Sequence, residues 1–217
     1  AATGMSLLPV AEAQARLFAL AEPLSAETVP IGEAVGRWLA QDLIALRDQP
    51  WADLSAMDGY AVRAAEHPGP WRVTGESTAG GATPAPISAG AALRIFTGAP
   101  VPPGADAILI QENATRDGDL LMASADPLPV GRHIRARASD FARETLLLDS
   151  GARLGAAQVA LAVLGGHGRV AVHRRPRVAL LSTGNELVPP GADTPPGMLP
   201  SSNAPMLAAL LADLPCD

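Results

Sequence analysis

The sequence predicts an α+β protein built from more than one domain. An amphipathic helical pattern near the start, short strand-like runs in the middle and a final strand, loop and helix lead to this prediction. The 21 Gly and 21 Pro are many for a compact helical protein, and only 3% of the residues are aromatic, so aliphatic side chains and alanine must fill the interior. A chain of 217 residues can form one large domain or two smaller ones.

The first predicted element is a helix over residues 6–20, with Pro9 in its first turn. Its apolar residues recur at helical spacing and are Val10, Ala13, Leu17 and Leu20. Residues 28–45 then indicate a short extended piece, a short helix and a second strand.

An all-β module is predicted for residues 59–135, because short apolar runs alternate there with Gly, Pro and Asp. The runs are GYAVR, WRVTG, ALRIFTG, AILIQE and DLLMA. An alanine-rich helix within 155–168, ended by Gly165 and Gly166, leads into the strand RVAVH.

The last predicted unit begins after Pro176, where RVALLSTGNEL has the apolar run expected of a buried parallel strand. A helix is predicted to follow from about Ser202 and Asn203. One strand and one helix do not make a stable sheet, so we expect this chain to be a piece of a longer protein.

Charge and composition exclude several classes of function. All 16 basic residues are arginine, so neither a Schiff-base lysine nor a P-loop lysine is available. The formal net charge of −6 argues against a general nucleic-acid binder and favours a small partner. With Cys216 as the one cysteine and no apolar stretch of 18 residues, we expect a cytoplasmic protein without disulfides or a membrane span.

The stretch LSAMDGYAV, residues 54–62, places Asp58 directly before a glycine. One interpretation is that Asp58 and Ser55 form a turn, since Asp-Gly is common in hairpins. The other is that small neighbours let a ligand approach while the Asp58 carboxylate binds a hard cation.

Two further stretches carry polar side chains on loops. Thr97 opens a proline-stiffened loop after a strand, where it forms either a simple turn or a binding group. In residues 131–144, arginines surround Asp140 and Glu144 and form an anion site, a solvated charged face or an Arg/Asp lattice between domains. These arginines are Arg132, Arg135, Arg137 and Arg143.

A fourth stretch, LLSTGNEL, follows the predicted buried strand. The carboxyl ends of such strands bind ligands in open α/β sheets, and loop amides and hydroxyls there can hold phosphate. The candidate residues are Ser182, Thr183, Gly184, Asn185 and Glu186.

SAMDGYAV, IFTGAPVPPGADAILIQE and STGNEL, in this order and spacing, resemble the molybdopterin molybdenumtransferases, the family that includes bacterial MoeA and the E domain of gephyrin. The resemblance implies an elongated, multi-domain subunit that forms a homodimer. It places a mixed helical N-terminal domain at 5–48 and 136–173, an inserted mostly β domain at 49–135, and the truncated beginning of an α/β molybdopterin-binding domain at 174–217.

The same resemblance implies a reaction, the insertion of molybdate into adenylylated molybdopterin with release of AMP and with Mg²⁺ as cofactor. It assigns catalytic roles to Asp58, Thr97, Asp140 and Glu186, with Asp58 and Glu186 near the metal. It assigns substrate binding to Ser55, Arg135, Ser182, Thr183 and Gly184. The cleft would lie between two subunits, and other molybdenum cofactor biosynthesis proteins are further expected partners.

Some features depart from the family pattern. Ala138 and Ser139 precede Asp140 where the family more often has glycine and an acid, and MLPSSNAP lacks the usual aromatic and acidic pair. A non-catalytic scaffold on the same fold is an alternative, as is a molybdopterin adenylyltransferase, which shares the α/β domain. The retained acids favour catalysis, and the long N-terminal region argues against the adenylyltransferase.

Overall fold

The computed structural model of the chain describes residues 8–124 and 126–217, and these contain three α-helices and fourteen short β-strands. The helices are α1 (Val10–Ala19), α2 (Ala156–Leu164) and α3 (Asn203–Leu211). The strands are β1 (Ala26–Pro30), β2 (Leu43–Ile44), β3 (Leu54–Ser55), β4 (Gly59–Val62), β5 (Trp71–Ser77), β6 (Ala91–Ile95), β7 (Ala107–Ile110), β8 (Ala114–Asp117), β9 (Leu120–Ala123), β10 (Ile134–Arg135), β11 (Leu146–Leu148), β12 (Arg169–His173), β13 (Leu187–Val188) and β14 (Leu199–Pro200). Short 3₁₀ turns lie at Ile31–Glu33, Ala64–Glu66 and Gln111–Asn113.

The chain divides into two compact units. The first unit contains residues 8–43, 148–163 and 167–217, and the second contains residues 44–147 and 164–166. The prediction of a mixed chain with helices and mostly β structure is confirmed. The predicted three-domain layout stays a prediction.

The first unit is organised around an antiparallel ladder of β1 with β12, which runs in register from Ala26 opposite His173 to Pro30 opposite Arg169. Its core includes the fully buried Leu39, Leu154 and Val172. The nearly buried guanidinium of Arg37 also lies here, and its Nη2 is 2.5 Å from Glu27 Oε1. Because a buried charge is costly without partners, this ion pair accounts for an arginine inside the unit.

The second unit contains a six-stranded sheet in the order β7-β4-β6-β5-β9-β8. Every pair is antiparallel except β5 with β6. All four residues of β4 are buried, with Tyr60 and Val62 in one hydrophobic cluster and Ala61 in another. Successive side chains of a strand point to opposite faces, so both faces of the sheet are covered around β4.

Most predicted elements are confirmed. The helix expected in residues 6–20 is α1, and the short apolar runs of residues 59–135 are β4, β5, β6, β7 and β9. The alanine-rich helix is α2, the strand RVAVH is β12, and the last helix is α3, which begins at Asn203. The apolar face of α1 is exposed, however, with Leu17 66% and Phe18 75% accessible.

The buried parallel strand predicted in RVALLSTGNEL is wrong. Residues 174–186 form no strand, and Leu181 is 86% exposed. In this segment, Val178 N donates to Asp217 O at 2.8 Å and Asp217 N donates to Pro176 O at 2.9 Å, as in a parallel β pair. Asp217 is the one residue in this pairing with the segment. Apolar side chains such as Leu181, which neighbouring strands would cover in a sheet, therefore remain accessible to solvent.

Candidate functional site

Two residues singled out by the sequence, Asp58 and Thr97, are hydrogen-bonded to each other in the second unit. Asp58 lies in the bend between β3 and β4, and Thr97 lies just after β6. The Thr97 backbone N and Oγ1 both donate to Asp58 Oδ1, each at 2.7 Å. Residues that are 39 positions apart in the sequence therefore form one polar pair on adjacent loops.

Backbone hydrogen bonds join the two loops that carry this pair. Ser55 N donates to Ala99 O at 2.9 Å, and Gly98 N donates to Ser55 O at 2.8 Å. Gly98 has a φ of +80°, which glycine adopts without steric cost. Ser55 itself is buried, and its hydroxyl lies 2.5 Å from Met57 O. The loop bearing Asp58 is thus fixed by short contacts at its base.

The Asp-Gly pair is not the turn of a β-hairpin, although Ser55 does make a local turn contact, since Met57 N donates to Ser55 Oγ at 3.3 Å. Strand β3 pairs with β10, whereas β4 pairs with β6 and β7. Gly59 is needed for another reason, since a Cβ placed there would lie 2.0 Å from the Leu109 carbonyl oxygen. The glycine after Asp58 therefore permits close approach of β7 to β4.

The surroundings of Asp58 favour its ionised form. The Thr97 amide contributes most, followed by the Thr97 hydroxyl and, more weakly, the Arg94 charge, and together they hold the pKa of the Asp58 carboxyl below its usual value. Asp58 is half-buried, and only its Oδ1 is engaged by described residues. The second carboxylate oxygen can accept a further donor or a cation.

A second pair of predicted residues, Arg135 and Asp140, lies in the same unit. Strand β10 pairs antiparallel with β3, which sets Arg135 opposite Leu54 at the start of the Asp58 loop. The Arg135 guanidinium binds the Asp140 carboxylate, which lowers the pKa of Asp140 and raises that of Arg135. Both side chains are partly exposed, so this pair can also meet a ligand.

Other arginines of this segment have a structural partner that sequence reasoning missed. The Asp48 carboxylate accepts Arg137 Nε at 2.6 Å and Arg143 N at 2.7 Å. Arg137 N also donates to Asp53 Oδ1 at 2.7 Å. Asp48 is only 14% exposed, and these bonds lower its pKa, with the Arg143 amide contributing most. For Arg137 the interpretation as an Arg/Asp lattice is therefore the better one, whereas Arg143 binds Asp48 through its backbone amide.

The remaining predicted residues belong to the first unit. Ser182, Thr183, Gly184 and Glu186 are all exposed and precede the short strand β13. Glu186 carries a backbone role, as its carbonyl accepts Leu199 N at 2.8 Å. Their functional roles stay predictions.

Residues 8–124 and 126–217 contain neither a cluster of metal-ligating side chains nor a membrane-spanning helix. No group of three or more His, Cys, Asp or Glu side chains there is arranged to hold a metal ion. In the same ranges, no helix combines the length and the apolar character needed to cross a bilayer.

Arg94, which was not among the residues predicted from the sequence, is a neighbour of this site. It donates from Nη1 to Gly59 O at 3.2 Å and from Nη2 to Gln111 Oε1 at 2.8 Å. The signal available in the sequence was its position three residues before Thr97 in RIFTG, where an arginine inside a buried strand is unusual.

The chain is similar to known proteins of one family. A family model described as the MoeA N-terminal region (domain I and II) matches residues 8–166. A molybdopterin molybdenumtransferase from Nostoc sp. is 38% identical over 192 residues, which cover 85% of this chain and 44% of the relative. A protein named molybdopterin molybdenumtransferase 2 from Mycobacterium tuberculosis is 39% identical over 193 residues, covering 86% of this chain and 47% of the relative.

Among solved structures, a molybdopterin biosynthesis MoeA protein from Pyrococcus horikoshii aligns with a TM-score of 0.84 at 32% identity. The alignment covers 98% of this chain and 56% of the archaeal chain. The chain thus spans about half the length of the relatives that it matches.

Proposed function

Because the chain belongs to the MoeA N-terminal region family, which its residues 8–166 match, we propose that it forms the N-terminal part of a molybdopterin molybdenumtransferase. The proposed reaction is insertion of molybdate into adenylylated molybdopterin, with release of AMP. The names of the relatives support the molybdopterin substrate and the transferase class. The observation that carries the proposal is the Asp58 carboxylate, held by two hydrogen bonds from Thr97.

The proposed cofactor is Mg²⁺, held by Asp58 and Glu186. Mg²⁺ in phosphate-binding sites is usually bound by one or two carboxylates together with substrate phosphates. Asp58 suits this role because one of its oxygens accepts both Thr97 bonds while the other has no described partner. The bound ion would offset the negative charge of the nucleotide phosphates.

Three further side chains of the second unit have proposed roles in binding the substrate. The Thr97 hydroxyl hydrogen is directed to Asp58, so Thr97 receives a substrate hydrogen bond through its oxygen lone pairs. Arg135 neutralises an anionic oxygen of the substrate, and Asp140 orients the Arg135 guanidinium.

Three further residues and one buried hydroxyl complete the proposed substrate site. Ser182, Thr183 and Gly184 bind the nucleotide through their loop. Ser55 contributes by holding the Asp58 loop, since its buried hydroxyl is already bound to Met57 O.

The proposed assembly is a homodimer in which Asp58 of one subunit and Glu186 of the other face one cleft. We place the protein in the cytoplasm, where other molybdenum cofactor biosynthesis proteins would supply its substrate and accept its product. These parts of the proposal follow from the family resemblance.

The test is an assay of the complete encoded protein with adenylylated molybdopterin, molybdate and Mg²⁺. The proposal predicts AMP release that depends on molybdate and Mg²⁺. If the folded protein binds the pterin nucleotide but releases no AMP under any of these conditions, a non-catalytic scaffold is the better description.

A further inference from the structure

The Arg94 side chain is held in one place by two aromatic rings. Arg94 lies in β6, directly opposite Tyr60 in β4. Its guanidinium carbon is 5.1 Å from the centroid of the Tyr60 ring and 4.9 Å from that of the Phe96 ring. A guanidinium over an aromatic face is attracted by the ring quadrupole, and two such contacts restrict its position.

From this position Arg94 reaches both sides of the Asp58 peptide. Its Nη1 donates to the backbone carbonyl oxygen of Gly59, the residue that follows Asp58, at 3.2 Å. Its Nη2 donates to Gln111 Oε1 at 2.8 Å, and the Gln111 backbone N donates to Asp58 O at 3.2 Å. The bend that presents the carboxylate is therefore tied to the guanidinium directly and through Gln111.

Arg94 is also linked to the partner of Asp58. Phe96, one of the two rings under the guanidinium, immediately precedes Thr97. The backbone N of Thr97 is one of the two donors to Asp58 Oδ1. A single side chain thus contacts the neighbours of both members of the pair.

We propose that Arg94 is a positioning residue that holds the Asp58 and Thr97 pair in its geometry for molybdenum insertion, an inference that rests on the proposed function. Lysine can replace it only in part, because a single ammonium lacks the planar fork that donates to two acceptors while stacked on rings.

The kinetic test compares Arg94→Gln, Arg94→Lys and the control Arg72→Gln in the complete protein. Arg72 lies on β5 of the same sheet, is exposed, and has no side-chain hydrogen bond to the described residues. We expect Arg94→Gln to lower kcat about 10- to 100-fold with KM for either substrate changed less than about twofold. Arg94→Lys should recover part of kcat, and Arg72→Gln should retain all of it.

A double mutant separates positioning from an independent role. Since Arg94 acts through Asp58, adding Arg94→Gln to Asp58→Asn should cause no further loss of kcat. A multiplicative loss, or a raised KM with unchanged kcat in Arg94→Gln, would show that Arg94 contacts substrate itself and would overturn the inference.

Amide hydrogen exchange provides a readout that needs no activity. Arg94→Gln should speed exchange of the Thr97 and Gln111 amides about tenfold, because both donate to Asp58, and should leave the Val73 amide of β5 unchanged. Equal acceleration at Val73 would show that the whole sheet has loosened. No acceleration at Thr97 and Gln111 would show that Arg94 does not hold the Asp58 bend in place. Either result contradicts the inference. If the Thr97 and Gln111 amides exchange faster in the variant but the original protein releases no AMP, the proposed function is refuted. The positioning of Asp58 and Thr97 by Arg94 would still hold.

Discussion

The Asp58 carboxylate accepts both the backbone N and the side-chain Oγ1 of Thr97 on the same oxygen, each at 2.7 Å. This geometry directs two donors to one atom and leaves the second oxygen available. It also couples the two residues, since a change in Thr97 alters the pKa and the orientation of the Asp58 carboxylate. Removing one donor at a time is therefore informative.

Thr97→Val keeps the size and the backbone donor of threonine but removes the hydroxyl. We expect the pKa of Asp58 to rise toward its ordinary value of 3.8, and the rate of AMP release to fall roughly three- to tenfold. Thr97→Ser retains the hydroxyl and should keep most of the rate. The comparison is made by initial rates at pH 7, and equal rates for the Val and Ser variants would show that the hydroxyl has no role.

Gly59→Ala tests why glycine follows Asp58. The added Cβ would lie 2.0 Å from Leu109 O, a backbone atom of β7, so β4 and β7 would have to separate. We expect a loss of unfolding free energy of at least about 3 kcal/mol, measured by urea denaturation. The matched control is Gly32→Ala, where nothing lies within 4 Å of the new Cβ. Similar stabilities for the two variants would contradict the packing explanation.

The ion pair of Asp48 with Arg137 predicts a pH dependence of stability. The pKa of Asp48 is lowered in the folded state, so its stabilising contribution is fully present above its ordinary pKa of 3.8 and is lost as pH falls through the lower folded value. Asp48→Asn should therefore be less stable than the original protein at pH 7, and the difference should shrink below about pH 4.

Urea midpoints from pH 7 to pH 2 measure this difference. Asp193→Asn, a change of an exposed acid without a described side-chain partner, serves as the control and should leave the midpoint at pH 7 unchanged. A constant difference between Asp48→Asn and the original protein across the range would mean that the Asp48 charge does not contribute.

Local patterns in the sequence predicted most elements because the relevant interactions are local. The alternation of Tyr60, Ala61 and Val62 between two hydrophobic clusters is a consequence of strand geometry. The buried strand predicted in RVALLSTGNEL is absent because such a strand needs partner strands from distant parts of the chain. An apolar run in the sequence does not show which strand will pair with it.

The sequence indicated which single residues belong to the candidate site, but not which of them are hydrogen-bonded to each other. Asp58 and Thr97 stood out as polar residues on glycine-containing loops, yet their hydrogen bonds depend on sheet order. Asp48 and Arg94 were missed because their roles arise from partners distant in sequence, Arg143 and Gly59. A single charged residue in a sequence does not indicate which carbonyl or amide it will meet.

Mixing of variant subunits tests the proposed shared cleft. If Asp58 and Glu186 of different subunits face one cleft, a dimer of one Asp58→Asn and one Glu186→Gln subunit contains one intact site. Random pairing should then restore roughly a quarter of the original activity from two inactive variants. No recovery after denaturation and refolding together, with exchange verified by tagged subunits, would place both carboxylates within one subunit's site.

The most direct test of the catalytic role is the rate of molybdenum insertion by the complete protein carrying Asp58→Asn. Asparagine keeps the shape and can still accept from Thr97, but it removes the charge, and we predict a loss of AMP release of about 100-fold or more with an unchanged urea midpoint. Asp117→Asn, on the exposed strand β8 of the same unit, should retain full activity. Full activity of Asp58→Asn would contradict the account.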